Sequence, residues 1–64
     1  MGIKHMRKIE VLLKNNSRPY TKSEIRDEIR TGIVVAKEAI DYMVEKVLLT
    51  ATKDKKGITR YTWK

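Results

Sequence analysis

Two β-prone runs close this chain: Leu48-Leu49-Thr50-Ala51-Thr52 and Ile58-Thr59-Arg60-Tyr61-Thr62-Trp63. A charged turn without apolar side chains joins them, Lys53-Asp54-Lys55-Lys56-Gly57. The pattern reads as an antiparallel β-hairpin with a basic tip, hung on the end of a helical segment. Period-two alternation puts Leu49 and Ala51 on one face of the first strand and Tyr61 and Trp63 on the matching face of the second.

Three shorter helical patterns precede the hairpin. Ile3, Met6, Ile9 and Leu13 share one face of a helix from Ile3 to Lys14, with Leu12 on its edge and Lys4, Lys8 and Val11 opposite. Asn15-Asn16-Ser17 ends that helix, and Pro19 prevents its resumption. Pro19-Tyr20 is expected to run extended, long enough for a short strand. Thr21-Lys22-Ser23-Glu24 is a capping-box pattern, in which the Thr21 hydroxyl accepts from the Glu24 amide and the Glu24 side chain reaches back. Ile25 and Ile29 then lie one turn apart on the buried side of a short second helix. Thr31-Gly32 breaks it, with Gly32 expected to supply the freedom of a tight interhelical turn. The third helix runs from about Val34 to Lys46, with Ala36, Ala39, Ile40, Met43 and Val47 as its apolar stripe and Val44 widening it.

A chain of 64 residues forms one domain near the lower limit for folding without disulfide or metal staples. It has no Cys and a single His, so neither a disulfide framework nor a multi-ligand protein metal site of the usual kinds is expected, and no cofactor. No apolar run approaches the ~20 residues of a membrane span. The charged residues Lys4, Arg7, Lys8 and Glu10 interrupt any signal-peptide core. The expectation is a cytoplasmic, nucleoid-associated protein with no membrane partner. Fifteen Lys and Arg against eight Asp and Glu give a net charge of +7, which favours a polyanionic partner, nucleic acid first and acidic lipid second. The bland alternative is that this charge keeps a small domain soluble. Abundant Lys, Glu, Arg and Ile without Gln is a composition that leans towards a thermophile.

The order of these elements resembles the winged helix-turn-helix family over nearly the whole chain, Met6 to Trp63. The residues carrying the likeness are Ile9 to Asn16, Pro19 to Ile29, Gly32-Ile33, and Val47-Leu48-Leu49 leading into the hairpin. The resemblance implies an α+β fold of three helices with a small antiparallel sheet and a C-terminal wing. It implies double-stranded DNA as partner, with helix two over the backbone, helix three as recognition helix and the hairpin tip on phosphates or the minor groove. Carried onto this sequence, the wing candidates are Lys53, Lys55, Lys56 and Arg60. Thr21, Lys22 and Arg26 on helix two and Arg30 and Thr31 at the turn are the approach candidates. Val34, Lys37, Glu38, Asp41 and Tyr42 are those of helix three. A role as a small transcriptional regulator or chromatin-associated protein follows, as a homodimer through helix one, where Val11 lies away from the core face.

The third helix departs from the family pattern. Opposite its apolar stripe stand Glu38, Asp41 and Glu45, and three carboxylates facing phosphates oppose binding. Two readings follow. In one, only the first turn of helix three, around Val34 and Lys37, approaches the bases, while the wing and helix two supply affinity through phosphate contacts. In the other, Glu38, Asp41 and Glu45 face a protein partner. The bland alternatives are a solvated acidic helix face and a solvated turn whose lysines guard strand edges. His5, without a second ligand or nucleophile, reads as a solvated helix residue. Tyr20, Tyr61 and Trp63 are expected in the core rather than stacked on unpaired bases. Glu24, Asp27 and Glu28 read as an ordinary charged helix face. With no phosphate loop and no nucleophile–base pair at motif spacing, no enzyme activity is expected.

Overall fold

The computed structural model describes residues 3–64, which form three helices followed by a two-stranded antiparallel sheet. The helices are α1 (Ile3–Asn15), α2 (Lys22–Ile29) and α3 (Ile33–Glu45), and the strands are β1 (Leu49–Lys53) and β2 (Thr59–Trp63). This α+β architecture is the one the periodicities specify.

Each helix ends for a local reason. The Asn16 side-chain amide donates to the Leu12 carbonyl at 2.8 Å, occupying an acceptor that the end of α1 leaves open. At the start of α2 the capping box is complete: the Glu24 amide donates to Thr21 Oγ1 at 3.1 Å, and the Thr21 amide donates to Glu24 Oε1 at 2.9 Å. The Glu24 carboxyl is thereby held below the usual glutamate range, first by the Thr21 amide and then by Arg18. The left-handed step that ends α2 falls on Arg30, at φ 55° and ψ 58°, and not on Gly32. Gly32 is extended (φ −72°, ψ 153°) and serves as the N-cap of α3, so the freedom expected of it is unused.

A second correction concerns Val47, placed by periodicity on the buried stripe of α3. The helix ends at Glu45, and the chain closes it with a pair of backbone bonds, Val47 N–H to Val44 C=O at 2.9 Å and Leu48 N–H to Met43 C=O at 2.9 Å. That pair is a Schellman closure. It requires a left-handed residue at Val47 (φ 60°), which swings the side chain out to 57 % exposure. A β-branched side chain is poorly suited to that conformation, where glycine is the usual occupant.

Ile9, Leu13, Tyr20, Ile25, Ile29, Ala39, Ile40, Met43, Leu49 and Tyr61 form one core cluster, with Met6, Leu12, Val44 and Trp63 packed against it. Ile3, expected on the same face as Ile9, is 65 % exposed. His5 departs from a fully solvated side chain: it is half-buried, with Nδ1 shielded and without a hydrogen-bond partner.

The hairpin pairs Leu49 with Trp63, Ala51 with Tyr61 and Lys53 with Thr59. On the other side of β2 the Pro19-Tyr20 segment makes an isolated bridge, with Tyr20 N–H to Tyr61 C=O at 3.0 Å and the reciprocal bond at 2.8 Å. The sheet is therefore covered around β2 while β1 is the outer edge. Ala51, expected to face the core, is exposed, and Leu49 is the only buried residue of β1. Lys14 closes the far end, its ammonium 4.9 Å from the centre of the Trp63 ring and 2.8 Å from Glu10.

Replacing Val47 by Gly tests the Schellman closure. Left-handed backbone costs an L-residue about 1–2 kcal/mol, and the added freedom of unfolded glycine returns about 0.4–1 kcal/mol of that. Val47→Gly is expected to raise stability by about 0.5–1 kcal/mol, or the melting temperature by roughly 3–6 °C in a domain of this size. Thermal denaturation followed by circular dichroism checks it; a lower melting temperature contradicts the assignment.

Candidate nucleic-acid interface

The basic hairpin tip is built on Asp54. Its Oδ1 accepts the amides of Lys56 at 2.9 Å and Ile58 at 3.0 Å, while its backbone carbonyl accepts the Gly57 amide at 3.0 Å. Gly57 sits at φ 84°, so the loop is a tight turn closed by a left-handed glycine, the usual form of a three-residue hairpin connection. The other carboxylate oxygen pairs with Arg60. The Asp54 carboxyl is accordingly held below the usual aspartate range, first by the Ile58 amide, then by the Arg60 side chain and the Lys56 amide.

Those contacts sort the four wing candidates. Arg60 is half-buried and engaged with Asp54. Lys53, Lys55 and Lys56 are exposed, and among the described residues none of them pairs with a carboxylate. The tip thus presents three unpaired ammonium groups on a turn whose single acid is consumed internally.

The candidates on α2 are mostly occupied. Thr21 is the helix cap. The Lys22 ammonium lies 2.9 Å from Asp41 on α3 and 5.8 Å from the centre of the Tyr61 ring, joining α2, α3 and β2. It is held above the usual lysine range, first by its bond to Asp41. Arg26 binds the neighbouring Asp27 at 2.9 Å. Thr31 is half-buried, its amide directed to the Arg26 carbonyl at 3.3 Å. Arg30 is exposed, but it lines a trough between α1 and α2 with Arg7 and Lys8. The structure therefore divides the positive charge expected along α2 between internal ion pairs and a separate surface.

On α3, Asp41 is neutralised by Lys22, which leaves Glu38 and Glu45 as the unpaired acids of the exposed face. Tyr42 is exposed, and Lys46 sits 5.6 Å from the centre of its ring. Val34, at 65 % exposure, and Lys37 stand free at the first turn. Ile33, outside the sequence candidates, is exposed beside them. A β-branched residue just after a helix cap gives no signal of exposure, because its neighbours in the fold decide it. Arg18 was also missed. Its guanidinium stacks 3.9 Å from the centre of the Tyr20 ring and 3.5 Å from Glu24, placing another cation beside the start of α2.

Tyr20 and Tyr61 are 4 % and 6 % exposed, so neither ring is open to a base. No helix among the described residues is long and apolar enough to cross a membrane, and no group of His, Asp or Glu there could hold a metal ion. Comparison of the chain with protein-family models, curated proteins and solved structures found no match.

The Asp54 arrangement has a pH signature. A carboxyl with a lowered folded-state pKa contributes stability that is present above the ordinary aspartate value and lost as pH falls through the lower folded value. The Lys56 and Ile58 amide resonances are expected to move on acidification below about pH 4. Asp54→Ala is expected to displace both at neutral pH, whereas Asp54→Asn retains an acceptor and removes the acid step. Resonances that are identical in wild type and Asp54→Ala contradict this account of the turn.

Proposed function

We propose that this chain is a winged helix-turn-helix domain that binds double-stranded DNA, acting as a small transcriptional regulator or chromatin-associated protein. The observation that carries the reading is the tip of the hairpin, where Lys53, Lys55 and Lys56 are unpaired on a turn ordered by Asp54. A preorganised turn loses little freedom on meeting a phosphate backbone, so its ammonium groups can release counterions without first ordering the loop. The order of elements and the Tyr20–Tyr61 bridge support the winged-helix assignment.

Binding would then divide into two parts. The wing supplies sequence-independent affinity through phosphate contacts. The first turn of α3, with Ile33, Val34 and Lys37 exposed, meets the base edges in the major groove. The Lys22–Asp41 pair supports this division, because it removes one of the three carboxylates that would otherwise repel the backbone. Glu38 and Glu45 still oppose deep insertion of the whole helix, which limits the approach to its N-terminal end.

A second reading rests on a different observation. Val34 and Tyr42 are exposed on either side of the unpaired Glu38, an arrangement that suits a protein partner with apolar and basic groups. In that case Glu38→Lys breaks a protein complex and leaves DNA affinity unchanged or higher.

A salt series with mixed-sequence duplex DNA tests the first reading. Each neutralised phosphate contributes about −0.9 to the slope of log affinity against log salt. The Lys55→Ala/Lys56→Ala variant is expected to make the slope shallower by roughly 1–2. The double Glu variant is expected to lose measurable binding at ~50 mM salt, where nonspecific contacts are strongest. No wild-type binding at that salt, or equal binding by the Glu variant, contradicts the proposal.

A further inference from the structure

The positive charge on Arg7, Lys8 and Arg30 belongs to a different surface from the hairpin tip. These residues edge a trough of about 640 Å³ between α1 and the C-terminal end of α2. Its wall is mostly carbon, with Val11, Leu12 and Ile29 as the apolar side chains. Val11 is 57 % exposed, although it lies on a helix whose other aliphatic residues from Met6 to Leu13 are buried or half-buried. Among the described residues, Arg7, Lys8 and Arg30 pair with no carboxylate, and Glu28 is the single acid on the trough.

We propose that this trough is a docking site for an acidic amphipathic helix of a partner protein. Its shape supports a helix. Along α1 the lining runs from Arg7 to Asn15, more than two turns of helix, or roughly 12 Å at 1.5 Å per residue. That length matches apolar anchors spaced i, i+4 and i+7 on an incoming helix, the usual helix-in-groove pattern. The trough is open along one side, whereas a small-molecule site encloses most of its ligand.

Charge selects the occupant. The edge carries three cations against one anion, so acidic residues flanking the anchors complete it. A second copy of this chain packed trough to trough would instead add three more cations and only one more acid to the same interface. An interface with that excess of one sign disfavours self-association. The site is separate from Lys53, Lys55 and Lys56, so docking there leaves the hairpin tip free. The inference stands whether or not the hairpin binds DNA.

The test uses fluorescence anisotropy with a labelled helical peptide of about four turns, leucines at i, i+4 and i+7 and glutamates flanking them. A control peptide of identical composition has its leucines out of phase. It separates groove recognition from the general attraction of a chain with net charge +7 for any acidic peptide. The in-phase peptide is expected to bind roughly tenfold more tightly than the control. Val11→Asp, at an exposed position where folding is retained, and Arg30→Glu are each expected to weaken binding about tenfold. Amide resonances of α1 and α2 around Val11 and Ile29 should shift on titration while those of Lys55 and Lys56 do not. Equal binding of the two peptides, or indifference to Val11→Asp in a variant whose circular dichroism melt is unchanged, overturns the proposal. Sedimentation of the wild type as a dimer that Val11→Asp dissociates also overturns it and assigns the trough to a second copy.

Discussion

The reciprocal backbone bonds between Tyr20 and Tyr61 hold the two halves of this molecule together. A two-stranded hairpin alone is marginal in water, and β1 buries only Leu49. What fixes β2 is the extended Pro19-Tyr20 segment on its other side, with both tyrosine rings in the core. The same segment sets up α2, because Thr21 caps that helix immediately after Tyr20. The direction of α2, the position of the hairpin and the burial of the aromatic core therefore depend on one short stretch between α1 and α2. Arg18 over the Tyr20 ring and Lys22 over the Tyr61 ring cover this junction from the solvent side.

From that junction outward, the charges change from paired to unpaired. Near the helices, Lys22 is matched by Asp41 and Arg26 by Asp27, and at the hairpin Asp54 is matched by Arg60. These pairs are partly or largely exposed, and pairs of that kind contribute little stability each. Their larger effect is on the field of the surface. Pairing removes charge where elements meet and leaves the tip lysines on one side and the Arg7, Lys8 and Arg30 trough on another. The hairpin tip and the α1–α2 trough are thus two separate places where part of the net charge of +7 stays unpaired.

Much of this fold was legible in the sequence. Ile9 and Leu13, Ile25 and Ile29, and Ala39, Ile40 and Met43 lie in the core where helical spacing puts them. The Thr21–Glu24 capping box and the antiparallel hairpin followed from local chemistry, which is short-range and therefore readable. The misreadings at Ile3, Val47 and Ala51 extend a correct periodicity by one more position, and periodicity carries no information about where burial stops. At Val47 the helix itself has already ended and the backbone is left-handed. The left-handed step fell on Arg30 because the end of α2 was set by its own closing bonds and not by the nearest glycine. At the candidate interface, residue type located the cations but not their partners. Lys22 and Asp41 are 19 positions apart, and only the fold places them at 2.9 Å. The trough was invisible for the same reason: Arg7 and Lys8 lie on α1, and Arg30, far along the chain, caps the end of α2.

The proposed DNA reading has the hairpin tip and the first turn of α3 meet the same duplex. The direct measurement is a titration of isotope-labelled protein with duplex DNA, followed by amide chemical shifts at low and near-physiological salt. The largest changes are expected on Lys53 to Arg60 and on Ile33 to Lys37. Val11 and Ile29, at the trough, should stay unchanged at both salt concentrations. Changes centred on Glu38 to Glu45 or on the α1–α2 trough, with a silent hairpin tip, would contradict it.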